Sequence, residues 1–149
     1  MKLTVTLVLA FIFGVAAGGY LFAKSLPRSF LNVSACEGSC YRPNDLAGLL
    51  ASAAIQRVPG LLPSIAGQSP ECIALNHPFP EGRIHFVLFP KRDVKNILEL
   101  TVEDAPFVLG CFALGRELMK GQPADNYRVI TNGPRLQHVT YLHFHIIAK

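Results

Sequence analysis

Leu3–Ala23 is a run of 21 residues without a charged side chain, preceded by Lys2 and followed by Lys24 and Arg28. As a helix rising about 1.5 Å per residue it reaches about 31 Å, enough to cross the roughly 30 Å hydrocarbon core of a bilayer. No other feature constrains the chain as much, because it withdraws residues 1–24 from any globular unit that the rest can build. A signal peptide has the same composition. Leu3–Phe13 would be its apolar core and Val15-Ala16-Ala17 its small-residue cleavage site. Tyr20-Leu21-Phe22 extends the run beyond what a cleaved peptide needs. The expectation is therefore a retained anchor that contacts the membrane through residues 3–23. The flanking positive charges are too balanced to orient it.

Without Lys2 and Lys24 the chain has 12 basic and 10 acidic residues, which is no footprint for nucleic acid. Four cysteines, Cys36, Cys40, Cys72 and Cys111, follow the apolar run. Behind an export signal they favour an extracytoplasmic, periplasm-like placement and a disulfide, with Cys36 or Cys40 joined to Cys72. Cys111 lies on the apolar face of an expected helix and reads as a small core residue. A zinc site on Cys36 and Cys40 lacks the second ligand pair that such sites need.

Ser25–Tyr41 reads as a linker. Asn44 can cap a helix to about Val58, with Leu46, Leu49, Leu50, Ala53 and Ala54 on one face. Pro59–Pro70, with three prolines and two glycines, reads as a loop. Strands are expected at Cys72–Leu75, Arg83–Phe89, Tyr127–Thr131 and Val139–Ile147. Thr101 and Asp104 form a capping box, and apolar residues from Phe107 to Met119 follow helical spacing down to Gly121. The fold class is α+β: an antiparallel sheet with one long packed helix, preceded by a transmembrane helix. The expected divisions are 1–24, 25–71 and 72–149.

Alternation in the last strand places Leu142, Phe144 and Ile146 on a core face. Val139, Tyr141, His143, His145 and Ile147 take the other face. Same-face neighbours lie about 7 Å apart, so two imidazoles can reach one phosphate group. One ring could attack phosphorus while a protonated second ring neutralises its oxygens. The same pair, with His85, could instead bind zinc, and two solvated strand histidines is the bland alternative. Under the same alternation His138 faces away from His143.

Cys72 to the end resembles the histidine triad (HIT) superfamily of nucleotide hydrolases and transferases. The likeness is carried in order by "IHFVLFPKRDV", "TVEDAPFVLGCFALGRELM", "YRVITNGP" and "QHVTYLHFHII". By that resemblance His143 is the nucleophile that forms a nucleotidyl-histidine, His145 contacts the phosphate, and His85 supports the nucleophile. Asn132 and Gln137 match polar residues that flank the phosphate loop. Each has a structural alternative: a turn dipeptide with Gly133 for Asn132, backbone satisfaction for Gln137, a core histidine for His85.

The chain also departs from the family pattern. Tyr141 stands where the first triad histidine is usual, and His138 where a hydroxyl residue is usual. Leu136 replaces a glycine in a shortened loop, and His77 maps near the acid that holds ribose. Tyr141 can keep a hydrogen-bonding role but cannot become a cation.

The resemblance implies a membrane-tethered hydrolase of a nucleotide phosphoanhydride or phosphoramidate, with no metal or other cofactor. The anchor, the cysteines and "HFH" together are similar in layout to CDP-diacylglycerol pyrophosphatase-type members, which makes a lipid nucleotide a second substrate class. A homodimer is implied by the resemblance alone. The alternative is a non-catalytic module that binds a phosphorylated ligand or partner at the membrane.

Overall fold

The computed structural model describes residues 2–31, 40–122 and 125–149. Helix α1 (Lys2–Phe22) carries no charge after Lys2 and buries no residue, and it is long and apolar enough to be a membrane anchor or a signal sequence. Helix α2 (Pro43–Arg57) begins with Pro43 in its first turn, where a missing N–H costs nothing. Asn44 is inside that helix and is not its cap; its side-chain amide donates to the Gln137 carbonyl at 2.9 Å. The expected apolar face also shifts. Gly48, Ser52, Ala53 and Ile55 are buried, while Leu50 is exposed. Gly48 sets this packing, because a Cβ there would lie 2.5 Å from the Thr140 carbonyl oxygen.

Five strands form one antiparallel sheet: β1 (Ile65–Gln68), β2 (Cys72–Asn76), β3 (Ile84–Pro90), β4 (Tyr127–Ile130) and β5 (Phe144–Ala148). Their order is β1-β2-β3-β5-β4. Together with the helices this is the expected α+β architecture, an antiparallel sheet with one long packed helix. Strand β1 lies inside the stretch expected to be a loop. It is a four-residue edge strand with an irregular register at Ile65/Gly67, too short to show a period of two.

Helix α3 (Ala105–Met119) covers one face of the sheet. The capping box is present: Asp104 Oδ2 accepts from the Thr101 amide at 2.8 Å, over a 3-10 turn that leads into the helix. Gly121, with φ +72°, follows the helix end. Beneath α3 lie Leu142, Phe144 and Ile146, the core face expected from alternation, together with Ala74 and Leu88. Cys72 and Cys111 also sit there, joined as a disulfide. That pairing replaces the expected bond from Cys72 to Cys36 or Cys40. Consecutive layers, β2 and α3, bring Cys72 and Cys111 to a Cα separation of 5.0 Å, a distance no sequence spacing could reveal. Cys40 is itself disulfide-bonded, and Cys36 lies outside the described residues.

The opposite face is covered at one end only. Ile55 of α2 packs with Ile73 and Tyr141, and Leu75, Phe89 and Val139 border them. The segment after α1 is fastened to this end. The Leu26 amide donates to Asp93 at 2.8 Å, and Arg28 pairs with Asp93 while donating to the Thr140 carbonyl. Both side chains of the ion pair are buried, and backbone partners complete their hydrogen bonding. The expected strand over Val139–Ile147 is shorter, because residues 139–143 turn: the Tyr141 amide bonds Val139 and the Leu142 amide bonds Val94.

Candidate active site

The end of the second face that α2 leaves open is a cleft of about 640 Å³. Its walls are largely apolar, with Pro63, Leu75, Val87, Phe89 and Val139. Four histidines, His77, His138, His143 and His145, and Asn132 line it as well. Among the described lining residues there is no lysine or arginine, and the Glu81 carboxylate is held by Arg128 at 2.7 Å.

Strand register assembles the histidines. Val87 pairs with His145 and His85 with Ile147, so His85 and His145 are diagonal neighbours on one face. Their rings meet, with His85 Nε2 2.9 Å from His145 Nδ1. A one-residue slip would turn His145 toward α3.

The partners determine which nitrogens carry protons. The Glu81 amide donates to His85 Nδ1 at 3.2 Å, so the His85 proton is on Nε2. It is donated to His145 Nδ1, which leaves His145 with N–H at Nε2. His143 has the opposite arrangement. Its Nδ1–H donates to the Tyr141 carbonyl at 2.7 Å, leaving a lone pair on Nε2. The His143 and His145 ring centroids are 5.0 Å apart. One ring thus offers a nucleophilic nitrogen beside a neighbour that offers a hydrogen-bond donor.

Burial holds the His143 imidazole below its ordinary pKa, against the opposing effect of the Tyr141 carbonyl. His145 is pushed down to about 4, first by burial and then by the charges of His143, His85 and His77. His85 is lowered by burial and by His77. At neutral pH the His85, His143 and His145 rings are therefore uncharged. The protonated second ring expected for phosphate neutralisation is here a neutral N–H donor.

The other expected residues are placed as follows. His77 stacks on His85, rings parallel to 3° with centroids 4.1 Å apart, and its Nδ1 contacts the Phe79 carbonyl at 2.7 Å. His138 lines the cleft despite the alternation that pointed it away, because the regular strand starts only at Phe144. Gln137 is buried outside the cleft lining, and its amide donates to the Lys95 carbonyl at 3.0 Å. Tyr141 is fully buried and also outside the lining; its hydroxyl donates to the Pro90 carbonyl at 2.6 Å. Burial pushes that phenol above its ordinary range. Sequence reasoning missed Phe89, whose ring lies 5.5 Å from His143, and the Glu81 amide, which sets the His85 tautomer. Neither carried a sequence signal, since a backbone N–H is common to almost every residue.

His77, His85 and His145 have ring nitrogens within 4.8 Å of one another, the one such potential metal-ligand group among the described residues. In this arrangement the Glu81 amide occupies His85 Nδ1, and His85 Nε2 is paired with His145 Nδ1. The expected zinc trio of His85, His143 and His145 is not the group that comes together: among the described residues His77 stands where His143 was expected.

Residues 63–149 match the family described as scavenger mRNA decapping enzyme C-term binding. Among solved structures, a HIT family hydrolase from Clostridium thermocellum superposes with a TM-score of 0.58 at 23% identity, over 64% of this chain and 87% of that one. A histidine triad protein from Clostridium difficile gives 0.56 at 22% identity over the same shares. A hypothetical protein from Leishmania major gives 0.54 at 28% identity, over 67% of this chain and 72% of that one.

Proposed function

The chain belongs to the scavenger mRNA decapping enzyme C-terminal family within the histidine triad superfamily, and on that premise we propose that it is a hydrolase acting through a nucleotidyl-histidine on His143. The observation that carries this reading is the opposed pair of tautomers on His143 and His145.

In the first step the His143 Nε2 lone pair attacks phosphorus. A P–N bond forms as the bond to the leaving oxygen or nitrogen breaks. The imidazole becomes cationic, and its Nδ1–H strengthens the bond to the Tyr141 carbonyl. His145 Nε2–H donates to a non-bridging oxygen, where negative charge gathers. An arriving phosphate also raises the affinity of His145 for a proton, which helps offset the burial that keeps it neutral beforehand. His138 is the cleft residue available to protonate the leaving group. Water then attacks phosphorus, the P–N bond breaks, and His143 is restored.

The substrate is a nucleotide phosphoanhydride or phosphoramidate. Among the described residues the lining has no lysine or arginine to neutralise a polyphosphate, and its apolar walls suit a compact linkage. A lipid nucleotide of the CDP-diacylglycerol type is the membrane-borne member of that substrate class, with residues 3–23 holding the enzyme in the membrane and the domain facing the extracytoplasmic side. His77 and Asn132 line the cleft, which supports a substrate-contacting role for both. Tyr127 and Val129, exposed on edge strand β4, support a homodimer through that edge.

A second reading, a binding module for a phosphorylated ligand, is favoured by Tyr141 and Gln137, both of which lie outside the cleft lining. Mass spectrometry of protein quenched during turnover separates the two. The panel would hold an adenosine phosphoramidate, a dinucleotide polyphosphate and CDP-diacylglycerol. A nucleotidyl adduct that is absent in His143→Ala is the expected result. Folded protein that binds a panel compound without adduct or turnover would leave only the binding module.

A further inference from the structure

A second cavity, of about 400 Å³, lies where α1 ends, outside the histidine cleft. Its walls come from Lys24 and Leu26 after α1, Gln56 of α2, Lys91, Arg92 and Asp93 after β3, and Phe107 in the first turn of α3. From this placement we propose that the cavity binds the phosphate headgroup of an anionic membrane lipid. The inference rests on the reading of α1 as a retained anchor.

Three cations face one carboxylate, and that carboxylate is already taken. Asp93 is buried against Arg28 and accepts from the Leu26 amide. Of the acids around the lining, Asp104 is held by Arg92 and Thr101, Glu71 accepts from the Ser69 hydroxyl, and Glu103 is bonded to Thr101. Lys91 gives one N–H to the Ser69 carbonyl at 2.6 Å, leaving two of its three donors. Lys24 is exposed at the rim. The lining itself, three cations to one carboxylate, therefore keeps net positive charge and the remaining Lys91 donors for a phosphate ester, while Leu26 and Phe107 offer apolar contact for the glycerol end.

The level of the cavity follows from the chain. Lys24 is two residues beyond the last residue of α1, so a helix spanning the hydrocarbon core delivers this wall to the headgroup layer. The level is also held: the Arg57 guanidinium of α2 sits 4.7 Å over the Tyr20 ring of α1, and the Gln56 amide donates to the Lys24 carbonyl. Basic residues beside a span bind anionic headgroups by this electrostatic route.

The test uses the full chain, extracted in mild detergent containing equal phosphatidylglycerol and phosphatidylcholine, with retained lipid weighed by native mass spectrometry. Wild type should retain phosphatidylglycerol over phosphatidylcholine by about tenfold. The Lys24→Gln/Lys91→Gln variant should lose the preference, and Lys120→Gln, at the far end of α3, should keep it. Should the double variant fail to fold, Lys24→Gln alone should lower the preference by about fivefold. Inorganic phosphate at the headgroup concentration should leave it unchanged; displacement would overturn the lipid assignment in favour of a free-anion site. No preference in wild type, or one that survives in the double variant, would also overturn it. A flotation assay with vesicles distinguishes the two levels. A chain that does not float loses both anchor and headgroup site; one that floats without lipid preference loses the headgroup site alone.

Discussion

Strands β2, β3 and β5 present two very different surfaces. Toward α3 they offer Ala74, Leu88, Phe144 and Ile146, closed by a helix and by the Cys72–Cys111 disulfide. Toward the cleft the same strands offer Leu75, His85 and His145, and α2 covers only one end. The first face is held by non-directional burial, the second by hydrogen bonds that each have a donor and an acceptor. A packed face can relax around a change, whereas a relay with one direction has no substitute for a missing proton. Stability should therefore depend mainly on the α3 face and turnover on the cleft face.

The largest expected effect tests the α3 face. Cys72→Ala with Cys111→Ala opens a loop of sequence separation 39 and should cost about 3–4 kcal/mol in denaturant unfolding. Turnover of the remaining folded protein should stay within twofold of wild type, roughly the scatter of such comparisons. A large loss of turnover in folded protein would break the division between faces.

Next comes the relay. His85→Phe keeps a ring but cannot donate to His145 Nδ1, so kcat should fall by about 10- to 100-fold. His85→Gln retains an N–H donor and should recover part of that loss. Equal defects in both variants would show that His85 acts only as packing.

The pH dependence sharpens the comparison further. His145 titrates near its ordinary value of about 6.5 when unfolded and near 4 when folded. Below pH 6.5 the unfolded chain binds the proton first, so stability is full above that value and declines as pH falls toward 4. His143 and His85, also lowered, add in the same direction. Unfolding midpoints at pH 7, 6 and 5 should fall steadily, and His145→Gln should flatten the slope. A midpoint that rises on acidification would show the rings charged in the fold.

The smallest effect is expected at Tyr141. Tyr141→Phe removes a buried hydroxyl from the Pro90 carbonyl and should cost about 1–2 kcal/mol of stability without changing kcat. A fall in kcat with unchanged stability would assign the tyrosine to the chemistry after all.

Several of these features were legible from residue order alone. The apolar run before Lys24, the Thr101–Asp104 cap and the period-two alternation of Leu142, Phe144 and Ile146 are local patterns, set by neighbours a few residues apart. The same alternation put His143 and His145 on the other face. Local pattern could not supply partners. His85 meets His145 across 60 residues, Tyr141 reaches Pro90 across 51, and Cys72 joins Cys111 across 39. Strand register and helix docking decide those meetings, because periodicity sets the face on which a side chain lies but not what waits opposite it. The tautomers of the histidines belong to that second class, since a proton's position depends on the groups that the folded chain brings to each ring.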